Sequence, residues 1–200
     1  RYTHYKVYFS FNITICCIFK QTNNEAIYYY NLASKLETMN EEYLLQLAEK
    51  YDSPLYVYDT AIIASQYKRI TDAFKSVHHI QLNYAVKALS NINILRYFNT
   101  LGAGLDTVSI QEVDLGIAAG VDPQKIIYTP NGVSLEEIEN VAKKGVQINI
   151  DNLSILELFG QKHPEIPVCI RINPHVMAGG NSKISVGHID SKFGISVHQV

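Results

Sequence analysis

Three cysteines in 200 residues are too few and too unevenly placed for a disulfide framework. Their number is odd, Cys16 and Cys17 are adjacent, Cys169 stands far away, and no C-x-x-C spacing occurs. A reducing compartment, the cytoplasm, is the plain reading. Charge of one sign is missing as well: nineteen acidic residues face seventeen basic ones, for a net charge of −2. No basic patch stands out, so nucleic acid and anionic membrane surfaces lack compositional support as partners. No apolar run reaches about 18 residues, and no membrane-spanning helix is expected. The glycine signatures of nucleotide binding are absent, since neither G-x-G-x-x-G nor G-x-x-x-x-G-K-[ST] follows an expected strand. His163, His175, His188 and His198 have no metal-ligand spacing, so no metal site is expected.

What is present begins with a leader unlike the remainder. Residues 1–38 are crowded with Tyr, Phe and Ile, have no clear period, and precede Met39. Val7–Phe19 is fairly apolar but no small-residue cleavage site follows, so the leader is expected to lie outside the fold. After it, "NEEYLLQLAEKY" places Tyr43, Leu44, Leu47 and Ala48 at helical spacing, and "PLYVYD" reads as a short strand. Asp59 or Thr60 can cap a helix whose apolar face is Ile62, Ile63, Tyr67, Ile70 and Phe74.

From there strand and helix alternate. Strands are expected near 79–88, 103–108, 125–129, 146–150 and 167–172, with helices near 91–101, 110–119, 135–144 and 153–162. Ser109 stands three residues before Glu112, and Ser134 three before Glu137, which is capping-box spacing. Gly102, Gly120 and Gly145 follow the helix ends, where a left-handed cap favours a residue without Cβ. Such alternation with short loops means a parallel sheet covered by helices, either an open doubly wound sheet or a (β/α)8 barrel. A barrel needs about 250 residues, so under that reading the chain stops after five to six strands.

In a parallel barrel, chemistry sits at the C-terminal strand ends. The polar residues expected there are Lys87, Asn91, Asp106, Ser109, Asn131, Asp151, Asn152, Arg171, Asn173 and His175. Most have a plain structural use. Ser109, Ser134 and the Asp151–Asn152 pair fit helix caps, and Arg171 fits a rim ion pair. In "QLNYAVKALSN", Leu82, Tyr84 and Val86 share one strand face and Lys87 ends the other. An amine placed against apolar surface can be desolvated into a usable nucleophile, whereas a solvated lysine is only surface.

Residues 84–138, "YAVKALSNINILRYFNTLGAGLDTVSIQEVDLGIAAGVDPQKIIYTPNGVSLEEI", resemble the diaminopimelate decarboxylases, which are barrel-type pyridoxal-phosphate enzymes. The family pattern is Y-A-V-K-A-N, then G-x-G-x-D-x-x-S-x-x-E. Further on, "IRINPHVMAGGNSKISVGHIDSKFGIS" is similar to its R-x-N-P, I-S-T-G and K-F-G-I segments. The likeness runs over about residues 40–200, with the motifs in order. Val186 stands where threonine is common, Asn181 where histidine is common, and Val133 where lysine is common.

The resemblance implies decarboxylation of meso-2,6-diaminopimelate to L-lysine and carbon dioxide, with Lys87 holding pyridoxal 5'-phosphate as a Schiff base. It implies that Asp106, Ser109, Glu112 and Arg171 line the cofactor site, and that Lys192, Phe193 and Gly194 form the family's K-F-G loop. It further implies a homodimer at full length and an amino-acid substrate. The expected fold is α/β, a partial (β/α)8 TIM-type barrel over 61–200. Residues 39–60 would then carry the first strand of a C-terminal β-domain that the sequence does not include, and that strand would lack a partner. The phosphate loops and substrate-contacting residues of the family also fall outside the 200 residues, so an amino-terminal fragment without activity of its own is expected. The alternatives are a related decarboxylase of ornithine, arginine or carboxynorspermidine, or a non-catalytic cofactor-binding barrel.

Overall fold

The computed structural model describes residues 6–9, 16–18, 41–52, 54–176, 187 and 191–199. Most of the leader, and Asn181 and Val186, lie outside the described residues. In chain order the elements begin with β1 (Lys6–Phe9), β2 (Cys16–Ile18), α1 (Glu41–Tyr51), β3 (Leu55–Val57) and α2 (Thr60–Ala73). The alternating part follows as β4 (Gln81–Ala85), α3 (Ile92–Thr100), β5 (Gly104–Thr107), α4 (Ile110–Ala118), β6 (Ile126–Tyr128) and α5 (Leu135–Ala142). It ends with β7 (Gln147–Ile150), α6 (Leu153–Lys162), β8 (Val168–Ile170), β9 (Ile172–Asn173) and β10 (Ile195–Ser196).

The chain divides into two compact units. One joins Arg1–Tyr5 to Ser10–Ile80, and the other joins Lys6–Phe9 to Gln81–Val200. In the first, Asp59 caps α2 by accepting from the Ala61 and Ile62 amides at 2.8 and 3.2 Å. The strand at Leu55–Val57 does not stand alone: β2 pairs with it antiparallel, Cys17 opposite Tyr56. An exposed strand edge recruits whatever extended backbone is within reach.

The second unit is a six-stranded parallel sheet in the order β1-β4-β5-β6-β7-β8, an open barrel segment. Its β1 comes from the leader, four residues of which run parallel to β4 with Lys6 opposite Gln81. The local signals place the other elements. Ser109 and Ser134 accept from the Glu112 and Glu137 amides, both at 3.2 Å, as N-caps. Gly102, Gly120 and Gly145 take positive φ after α3, α4 and α5. A left-handed residue closes each helix, and the next strand can start within a few residues.

Alternation along each strand sends successive side chains to opposite faces. On the helix side Tyr84 stacks on Phe98 of α3, with ring centroids 4.0 Å apart. Leu105 and Ile126 pack beneath α4 at Gly116. A Cβ there would lie 2.7 Å from Leu105 Cδ1 and 3.1 Å from Ile126 Cδ1, so glycine sets how closely α4 approaches. Tyr128, Ile148, Ile150 and Phe159 complete this buried layer. Each such side chain contributes about 1.5–3 kcal/mol by leaving water. The sheet runs out at β8, where Ile170 and Ile172 are 43% and 47% exposed. The barrel is not closed.

Candidate active site

The opposite face, which a closed barrel would enclose, carries the polar residues. It presents Asn83, Asp106, Thr129, Gln147, Asn149, Cys169 and Arg171, alternating with the helix-facing set. At the C-terminal end of β4 the strand stops at Ala85, earlier than its apolar alternation suggests. Val86–Ala88 then form a single 3-10 turn, and Asn91 caps α3 by accepting from the Asn93 amide at 2.9 Å. Val86 is fully buried, and that anchor turns the next side chain outward: Lys87 is exposed. The amine sits at the sheet's C-terminal rim as expected, but it is solvated rather than desolvated by an apolar strand.

Charged groups neighbour the amine. Asp106 and Glu112 both lie within electrostatic reach of Lys87, and Asp106 also within reach of Arg171. Burial pushes the Asp106 carboxyl up, while the Thr129 hydroxyl, Lys87 and Arg171 pull it back down. Glu112 is likewise raised by burial and by Asp106, against the Val108 amide and Lys87. Its carboxylate accepts from Val108 N–H at 2.8 Å, while its own amide donates to Ser109 Oγ at 3.2 Å. Ser109 and Glu112 thus close a reciprocal cap one residue wider than the expected box, and this fixes the loop between Asp106 and α4. The equivalent arm at α5 is different: Glu137 accepts from the Tyr128 hydroxyl at 2.5 Å, tying α5 to β6. Burial beside Glu137 raises the Tyr128 phenol strongly, so it stays a donor.

Further along the rim, Asn131 donates to Asp151 at 2.7 Å and to the Lys192 carbonyl at 3.2 Å. The Arg171 guanidinium lies over the Phe193 ring, 4.6 Å from its centroid, and the Lys192 ammonium lies 5.1 Å from the same ring. Gly194 makes this possible. It takes φ +79°, and a Cβ would stand 2.8 Å from the Asn173 amide. Asn152 is the α6 cap, accepting from the Ile155 amide at 3.2 Å, and Asn173 accepts from the His175 amide at 3.0 Å. Among the described residues there is no cluster of three or more His, Cys, Asp or Glu able to hold a metal. Sequence reasoning missed Thr129 and Asn149, which join Asp106 across three strands. A polar residue alternating with isoleucine in "QINI" is the signal that could have found Asn149.

An accessible primary amine, two carboxylates and a guanidinium sharing one rim suit a pyridoxal cofactor, whose aldehyde takes an amine and whose ring nitrogen takes a charged partner. Comparison with known proteins agrees. Residues 60–200 match the model of the pyridoxal-dependent decarboxylase pyridoxal-binding domain, and the chain belongs to that family. Diaminopimelate decarboxylase of Methanothermobacter thermautotrophicus is 37% identical over 153 residues, which cover 76% of this chain and 36% of that protein. The Pseudomonas aeruginosa diaminopimelate decarboxylase is 35% identical over 161 residues, covering 78% and 39%. The crystal structure of Helicobacter pylori diaminopimelate decarboxylase with L-lysine superposes with a TM-score of 0.71 at 31% identity. That match covers 78% of this chain and 41% of that one. The chain therefore spans little more than a third of the length of these relatives. Among the described residues no helix is long and apolar enough to cross a membrane.

Proposed function

We propose that Lys87 binds pyridoxal 5'-phosphate covalently, and that a polypeptide of the relatives' length carrying these residues decarboxylates meso-2,6-diaminopimelate to L-lysine. The observation that carries the proposal is the exposed Lys87 amine on one rim with Asp106, Glu112 and Arg171, in a chain 35–37% identical to diaminopimelate decarboxylases. When bound, pyridoxal phosphate supplies the electron sink for the departing carboxylate. The chain's own residues capture and orient. Lys87 offers the amine, Asp106 and Glu112 place negative charge beside it, and the Arg171–Phe193 stack forms a planar cationic floor. Ser109 contributes through the cap that holds the Asp106 loop.

The substrate is a small amino acid, and the working assembly is a homodimer in the cytoplasm, in keeping with the free Cys169 thiol. The 200 residues by themselves hold the cofactor weakly and release no carbon dioxide, since the phosphate site of such barrels comes from the loops after the last two strands.

Borohydride reduction in the presence of pyridoxal phosphate, followed by peptide mapping, is expected to place the adduct on Lys87. An adduct spread over other lysines, unchanged in Lys87→Ala, overturns the cofactor assignment. Carboxyl-labelled meso-diaminopimelate, offered beside L-ornithine and L-arginine to the relatives'-length polypeptide, is expected to be the one source of labelled carbon dioxide. Release from ornithine instead overturns the substrate. Full-strength trapping with carbon dioxide release by the 200 residues alone overturns the claim that they are insufficient.

A further inference from the structure

We infer that Thr129 and Asn149 are positioning residues for the Lys87 site, forming a relay across three strands that fixes the Asp106 carboxylate as the negative charge facing Lys87. The inference rests on the reading of Lys87 as the cofactor amine.

The relay follows from register. Asp106 pairs with Ile127 between β5 and β6, and Ile127 with Gln147 between β6 and β7, so Thr129 and Asn149 lie two residues further along. Thr129 donates through Oγ1 to Asp106 Oδ1 at 2.9 Å. Asn149 donates through Nδ2 to the same Thr129 Oγ1, also at 2.9 Å. A threonine hydroxyl has one hydrogen. With its oxygen accepting from Asn149, that hydrogen is committed to Asp106. The Thr129 amide donates to the Thr107 carbonyl at 2.7 Å, which extends the β5–β6 ladder past β6 and fixes the hydroxyl from its own backbone. Asn149 is itself buried between β7 neighbours, so it can anchor the chain of bonds from the sheet interior.

The charged groups around Asp106 are Lys87 from the turn after β4, Arg171 from the end of β8 and Glu112 from α4. None of these bonds to the Asp106 carboxylate directly among the described contacts, whereas Thr129 does. A half-buried carboxylate without its donor loses stabilisation of the charged form. The relay therefore favours the charged form of Asp106 on the rim it shares with Lys87.

The test is the Asp106 carboxyl titration, followed by carbon-13 nuclear magnetic resonance in the 200-residue chain. In Thr129→Val the Asp106 midpoint is expected to rise, and in Thr129→Ser, which restores the donor, to return to its original value. Asn149→Leu, one bond removed, should give a smaller rise in the same direction. A purely structural role for either residue would change the thermal melt and leave the midpoint in place. An unmoved Asp106 midpoint in folded Thr129→Val overturns the relay, and if that variant does not fold, an unmoved midpoint in Asn149→Leu does so. Trapping at Lys87 is read separately, so failure of the cofactor assignment is told apart from failure of the relay.

Discussion

The two faces of the parallel sheet divide the labour of this chain. The helix-facing side holds Tyr84, Leu105, Ile126, Tyr128, Ile148 and Ile150, all essentially removed from water. The other side of the same strands holds Asp106, Thr129, Asn149 and Arg171, joined by hydrogen bonds and long-range charge. Period-two alternation makes this separation possible, because neighbouring residues on one strand serve opposite purposes. The helix side gains free energy by burial. The inner side gives some of it up, since a raised carboxyl such as Asp106 is destabilising when ionised.

Three substitutions would break or sharpen this contrast. Leu105→Ala on the helix side should cost about 2–5 kcal/mol in urea unfolding, and a smaller loss than that range would mean the layer is loosely packed. Tyr128→Phe removes the bond to Glu137 while keeping the ring, and should cost about 2 kcal/mol. Asp106→Asn should have a small effect of the opposite sign. The folded Asp106 pKa lies above the usual carboxylate value of about 3.9, so the cost of ionising it grows as pH rises through that value and is complete above the folded pKa. Asp106→Asn is therefore expected to be more stable than the parent at pH 7, and that advantage should vanish once Asp106 is protonated in acid. Equal stability at both pH values would mean that the inner face carries no such cost.

Much of the helix side was legible in the sequence. The Ser109, Ser134 and Asn152 caps and the Gly102, Gly120 and Gly145 stops are local signals, and local signals place helix ends within a residue or two. The inner face was legible only in part. Lys87, Asp106 and Arg171 were expected at the rim, but the exposure of Lys87 depends on where β4 ends, which Val86 decides by burying itself. The Asp106–Thr129–Asn149 bonds and the Arg171–Phe193 stack join residues 20 or more positions apart. No local pattern encodes such partners. The same holds for β1 and β2, which pair because β4 and β3 offer open edges and not because the leader has a strand period.

The central claim is that Lys87 serves the chemistry at the rim and adds little to holding the fold. Lys87→Ala tests it most directly when the thermal melt and the borohydride-trapped pyridoxal-phosphate adduct are measured on the same preparation. The account predicts an unchanged melt with the mapped adduct abolished. An adduct that persists, or a melt that falls as far as that of Leu105→Ala, would contradict it.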